Sequence, residues 1–242
     1  LILGCSYSRG TYASQHYSEK DAKCWPQILA EKYPNWEISN TATTGNTDAL
    51  MFFELEYYTQ PKFNWDMVII QHTNPGRATF TRDPKLARKY IDIKRLARVT
   101  SNYRHWEFPG NKLYNPTGSI TMDRPILNST LSNSIEHMNR SELYKAHVKF
   151  SEFSLGPWNY HCEAWLEGLQ LYIKKLLTKR GVNFIQYEHL DKTSGDSVDF
   201  QVKKGLLDFE AWDNFTVDSS HFSTEGNTFL ATYIGRKIEE KL

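Results

Sequence analysis

Leu1-Ile-Leu-Gly-Cys-Ser6 decides the fold. Three apolar residues followed by glycine predict a short buried strand running into a tight turn, because a strand covered on both faces shows a continuous apolar run instead of alternation. Further along, Cys24 to Tyr33 carries Trp25, Ile28 and Leu29 with Pro26 in its first turn, which predicts a helix that stops before Pro34. Trp36 to Ser39 predicts a second strand. Thr47 and Asp48 can cap a helix bearing Leu50, Met51, Phe53, Leu55 and Tyr58, and Asp66 to Gln71 then predicts a third, buried strand. Towards the other end, Trp165, Leu169, Tyr172, Ile173 and Leu176 recur at helical spacing, Gly181 closes that helix, and Val182 to Tyr187 predicts another strand. A last helix starts near Ser223 and presents Leu230, Ile234 and Ile238 to the core.

Strands alternating with amphipathic helices predict an α/β fold: a three-layer α/β/α sandwich around a flavodoxin-like parallel sheet, since right-handed crossovers leave helices on both faces. Ligands of such sheets bind at the carboxyl ends of the strands. The loops at Ser6, Gly45 and Thr73 to Asn74, and the segment before the last helix, should therefore share one rim. The stretch from Pro75 to Tyr160 is far too long for an ordinary strand-to-helix connection. We read residues 1–242 as a single domain with 75–160 as an inserted, cap-like region, with helical pieces at Pro84 to Val99 and Ser141 to Phe153.

Composition narrows the function. With 29 basic and 28 acidic residues the net charge is +1, which argues against a dedicated nucleic-acid surface. Cys5, Cys24 and Cys162 are too scattered for a disulfide framework or a zinc site, so free thiols in a reducing compartment are expected. The chain opens without a charged and then apolar leader, and together these features lean towards the cytoplasm. No apolar run approaches the roughly 20 residues that span a bilayer. Oligomeric state leaves no mark on the sequence.

The chemistry sits at the expected rim. Ser6 projects from a strand-to-loop turn, and a serine needs a base to become a nucleophile. Asp218-Ser-Ser-His221 supplies that base and its orienting carboxylate from one short loop. Gly45, in Asn40-Thr-Ala-Thr-Thr-Gly45, allows close backbone approach, and its N–H can join that of Ser6 in an oxyanion hole; a plain helix-entry glycine is the competing reading. After the third strand, Gln71-His-Thr-Asn74-Pro-Gly-Arg77 offers a further side-chain donor. His72 competes as base but is better read as packed at the strand end, and Arg77 is a candidate substrate contact or a solvated charge.

Gly4-Cys-Ser6, Asn40 to Gly45, Thr73-Asn74 and Asp218-x-x-His221 together resemble the four ordered blocks of the SGNH, or GDSL-type, hydrolases. His221-Phe-Ser-Thr-Glu-Gly226 followed by Leu230-Ala231 is similar to that family's His-Pro-x-x-x-Gly segment, and Trp25-Pro26 to a segment that often follows its first block. The resemblance covers about two-thirds of the chain, outside the insertion. It implies Ser6 as nucleophile, His221 and Asp218 as base and orienter, and an oxyanion hole made of the Ser6 N–H, Gly45 and an Asn side chain, with no metal or organic cofactor. Two positions depart from the pattern. Cys5 replaces the usual Asp, with a thiol nucleophile as the minor alternative, and the third block is not Gly-x-Asn-Asp. Counting from the strand selects Thr73 for the Asn position, whereas residue type selects Asn74.

The expected reaction is hydrolysis of an acyl ester, O-acetyl among the candidates, through an acyl-enzyme. Nine Lys and Arg between Arg77 and Arg104 against Asp83 and Asp92, with Tyr103, Trp106, Phe108 and Tyr114 among and beyond them, suit a small-molecule or glycan ester substrate, although a solvated surface has the same composition. A lipase or thioesterase uses the same machinery. A non-catalytic glycan-binding or structural module on the same fold is the rival class.

Overall fold

A computed structural model describes residues 1–9, 23–43, 46–73, 78–80, 95–107, 120–122, 158–189, 193–207, 209–216 and 221–242. Its main sheet has seven strands in the order β5-β6-β2-β1-β3-β8-β9, where β1 is Ile2–Leu3, β2 Ile38–Asn40, β3 Val68–His72, β5 Arg95–Val99, β6 Tyr103–Glu107, β8 Phe184–Glu188 and β9 Phe200–Gln201. All neighbouring pairs are parallel except β5 with β6. A separate antiparallel pair joins β4, Ala78–Phe80, to β7, Ile120–Met122. The three-layer α/β fold expected from the sequence is therefore present, with one antiparallel edge strand.

The strand order reverses between β1 and β3, since the chain passes from β1 outward to β2 and returns across the sheet to β3. Such a switch point splays the loops that follow the two strands and leaves a crevice between them. Cys5-Ser6 follows β1 and Thr73 follows β3, so both belong to that crevice.

Alternation along the strands builds two cores. Ile2 and Ile69 face α2 (Trp25–Lys32), α5 (Phe209–Phe215) and α6 (Thr224–Glu239), packing with Trp25, Leu29, Trp212, Leu230 and Ile234. Leu1, Leu3, Val68 and Ile70 face α3 (Asp48–Tyr58) and α4 (Trp158–Lys179), packing with Met51, Leu55, Ile173 and Leu177. Gly181, at φ 66°, takes the left-handed conformation that ends α4 without strain. Among the described residues no helix is long and apolar enough to cross a membrane.

Two expectations need correction. Arg95 to Val99, read as the end of a helix from Pro84, is an edge strand antiparallel to β6. Leu96 and Val99 are three apart and fit a helical stripe, but the backbone partners offered by β6 decide the outcome, and Leu96 is left exposed. Within α4, Trp165 and Tyr172 are 49% and 53% exposed, whereas Leu166 and Ile173, one residue on, are buried. Of the expected stripe Ile173 is buried and Leu169 and Leu176 are half-buried, while buried Leu166 and Leu177 lie outside it. The expected helix at Ser141 to Phe153 and most of the 75–160 insertion lie outside the described residues.

Candidate active site

Ser6 opens α1, the single turn Ser6–Arg9 that follows β1. As the first residue of a helical turn, it has no helical acceptor for its N–H. The turn closes on the Cys5 carbonyl, which accepts from the N–H groups of Ser8 and Arg9 at 3.2 and 3.0 Å. Gly4 precedes it where a Cβ would fall 2.8 Å from Gln71 Oε1 and 2.9 Å from Ser8 Oγ, so only glycine fits without moving buried atoms. Cys5 is fully buried, as expected of a neighbour pointing back into the sheet, with its Sγ against Gln71 Nε2.

Beneath the turn, Gln71 at the end of β3 is wholly buried and grips both sides of Ser6. Its Oε1 accepts from the Cys5 N–H at 3.2 Å and from Ser8 Oγ at 2.9 Å, while its Nε2 donates to Cys5 Sγ at 3.2 Å and to the His72 carbonyl at 3.1 Å. Ser8 Oγ also accepts from Trp25 Nε1 at 3.3 Å, and the Ser8 carbonyl accepts from Asn40 Nδ2 at 2.9 Å. Tyr187 lies 3.4 Å from Ser8 Oγ, and burial pushes its phenol well above the ordinary range, so it stays neutral.

His221 comes from the other end of the chain. Its Nε2 is 3.1 Å from Ser6 Oγ, within hydrogen-bond reach across 215 residues of sequence. Phe222, next to it, pairs with Thr216, and Ser223 caps α6 by accepting from the Gly226 N–H at 3.1 Å. Asn227 then ties this corner together: its Nδ2 donates to the Phe222 and Ser223 carbonyls, and its Oδ1 accepts from the Trp25 N–H at 2.9 Å. Trp25 thus braces the Ser6 turn through its ring and the His221 corner through its backbone. The Tyr7 ring stacks on His189 at 3.9 Å and lies 4.7 Å from the His221 ring, filling the space behind the imidazole.

At Gly226 a Cβ would meet the Phe215 carbonyl at 2.5 Å and the Phe222 ring at 2.8 Å. Gly226→Ala must therefore push Phe222 and the adjacent His221 aside, and we expect a loss of about 1–3 kcal/mol of stability in urea unfolding. A change below about 0.5 kcal/mol, the size of an ordinary surface substitution, would contradict this.

The loop after β2 is anchored on the nucleophile strand from both sides of Gly45. The Gly4 carbonyl accepts from the Thr43 N–H and from Asn46 Nδ2, each at 3.2 Å. After β3, His72 is buried, with Nδ1 2.7 Å from Asp48 Oδ1 and Nε2 3.0 Å from Gln186 Oε1. It packs at the strand end as expected, and both nitrogens are occupied away from Ser6. Thr73 spends its N–H and its hydroxyl on Asp48 Oδ2, at 3.1 and 2.7 Å.

Ser6 and His221 are thus brought together, and Thr73 is turned towards Asp48. Asp218, Gly45, Asn74 and Arg77 lie outside the described residues. Arg104, the last of the basic run, sits in β6 and pairs with exposed Glu37 at 3.3 Å. Among the described residues no cluster of His, Cys, Asp and Glu could hold a metal ion.

Gln71 and Asp48 are the supports that sequence reasoning passes over. The available signal for Gln71 was a polar residue closing an otherwise apolar strand, since such a group is buried only when hydrogen-bonded. Compared with known proteins, the chain matches no family model, no curated protein and no solved structure at a significant level.

Proposed function

We propose that the protein is a serine ester hydrolase of the SGNH type. The observation that carries this reading is the 3.1 Å approach of Ser6 Oγ to His221 Nε2 at the switch point of a parallel sheet. A serine hydroxyl and an imidazole at that distance form a nucleophile and its base.

In this reading His221 takes the Ser6 proton as Oγ attacks the ester carbonyl, and hydrogen-bond donors of the oxyanion hole hold the tetrahedral oxyanion. His221 then protonates the leaving alcohol, and water activated by the same imidazole releases the acyl group. Asp218, three residues before His221, is assigned to orient the imidazole on the resemblance of the Asp-x-x-His segment. The Ser6 N–H, the Gly45 N–H and the Asn74 side chain are assigned to the oxyanion hole. Asn74 is preferred over Thr73 because both donors of Thr73 are already committed to Asp48.

We take the substrate to be a small or glycan-borne acyl ester, O-acetyl groups first, on the strength of the basic and aromatic residues between Arg77 and Tyr114. The test is turnover of p-nitrophenyl acetate by the whole chain, followed by acetate release from acetylated oligosaccharides. Turnover that disappears in Ser6→Ala is the expected result. A folded protein that binds the oligosaccharide without releasing acetate, equally well as Ser6→Ala, would replace this reading with a glycan-binding module.

A further inference from the structure

Tyr7, next to Ser6 in α1, is buried and touches two imidazoles. Its ring stacks on His189 at 3.9 Å with the planes 18° apart, and it meets the half-buried His221 ring at 4.7 Å and 40°. His189, the residue after β8, is only 1% exposed and is closed in edge-on by Trp212 of α5 at 5.3 Å and by Phe222 at 4.7 Å. Trp212 and Phe222 in turn meet at 5.7 Å. Rings from α1, the end of β8, α5 and the corner before α6 therefore form one packed cluster, and His221 is the least buried of them. Rings in stacked and edge-on contact hold one another's planes, and in a close-packed interior they have little room to turn.

A catalytic imidazole needs such a surface. The terminal torsion of a histidine side chain has broad wells, so its own bonds fix the plane of the ring poorly. A base must nevertheless keep its nitrogen aimed at the proton it takes, and a constellation held too loosely by its supporting residues loses most of its effect. We propose that Tyr7 is a positioning residue: its ring sets the plane of the His221 imidazole against Ser6, and His189, stacked on Tyr7, keeps that ring in place. The proposal rests on the serine-hydrolase reading above. Because Tyr7 directly follows Ser6, one short turn carries both the nucleophile and the surface against which its base is aligned.

A double-mutant cycle in the whole protein tests this, with p-nitrophenyl acetate as probe. Tyr7→Leu keeps apolar bulk but removes the flat surface. We expect kcat to fall on the order of 10- to 100-fold with KM changed less than about threefold, since aligning the base matters to the chemical steps and not to substrate binding. Tyr7→Phe returns the ring and should recover kcat to within about threefold of wild type. In a His221→Ala background, where there is no imidazole to align, Tyr7→Leu should cost less than about threefold. An equal loss in both backgrounds, or a Tyr7→Phe protein as impaired as Tyr7→Leu, would overturn the proposal. If Tyr7→Leu does not fold, His189→Leu, which takes away the ring stacked on Tyr7, carries the same cycle: a several-fold loss of kcat that is absent in His221→Ala supports the alignment, and an equal loss in both backgrounds overturns it. Ser6-dependent turnover indifferent to Tyr7→Leu would overturn this proposal alone. Wild-type protein without Ser6-dependent turnover would overturn the hydrolase reading and the alignment with it.

Discussion

On the serine-hydrolase proposal, Ser6→Ala is expected to lower kcat on an activated ester on the order of 10⁴- to 10⁶-fold, with the folded state intact. The loss is large because the covalent route vanishes, and only the oxyanion donors and binding contacts remain to act on a water molecule. His221→Ala should lose a comparable factor, and the double variant little more than either single one, because nucleophile and base work as a unit. Stability should barely change: among the described residues the hydroxyl meets His221 Nε2 at 3.1 Å and Cys5 Sγ at a long 4.0 Å, so its removal costs about 1 kcal/mol. Steady-state kinetics of the three variants, alongside urea unfolding, check both halves. Losses that multiply in the double variant would mean that the 3.1 Å contact is not a working pair.

The second large effect concerns Gln71. Replacing it with leucine fills the space but leaves the Cys5 N–H and the Ser8 hydroxyl without their acceptor in a wholly buried site. Each orphaned donor costs roughly 1–3 kcal/mol, so a total of about 2–6 kcal/mol is expected, a large share of a typical domain's stability. The turn that these bonds define also carries Ser6. A displacement of about 1 Å there is enough to cost on the order of 100-fold in kcat. Denaturant midpoints and kcat should therefore fall together. A Gln71→Leu protein within about 1 kcal/mol of wild type and fully active would show that the turn holds itself.

The sheet was legible because short, β-branched apolar runs such as Val68 to Ile70 fit strands covered on both faces. Leu230, Ile234 and Ile238 likewise could only be the inner stripe of a helix. Arg95 to Val99 misled because a five-residue segment with apolar residues three apart satisfies helix and strand alike until a neighbouring backbone is known. In α4, Trp165 and Tyr172 border the buried stripe, and hydropathy alone does not separate a rim aromatic from a core one.

The site divides in the same way. Ser6 and His221 could be read from type, order and position at strand ends. Gln71 and Asp48 could not, because their roles lie in bonds to residues 66 and 25 positions distant, which local pattern does not encode. Trp25 stood out as a hydrophobic anchor, yet its links to Ser8 and Asn227, which connect the two ends of the site, emerge only from the packed arrangement.

The central claim, that Ser6 is a nucleophile activated by His221, is tested most directly by treating the whole protein with a fluorophosphonate and locating the adduct by peptide mass spectrometry. The account predicts one equivalent of label on Ser6, strongly slowed in His221→Ala. Label on another residue, or none on a folded protein, would contradict it.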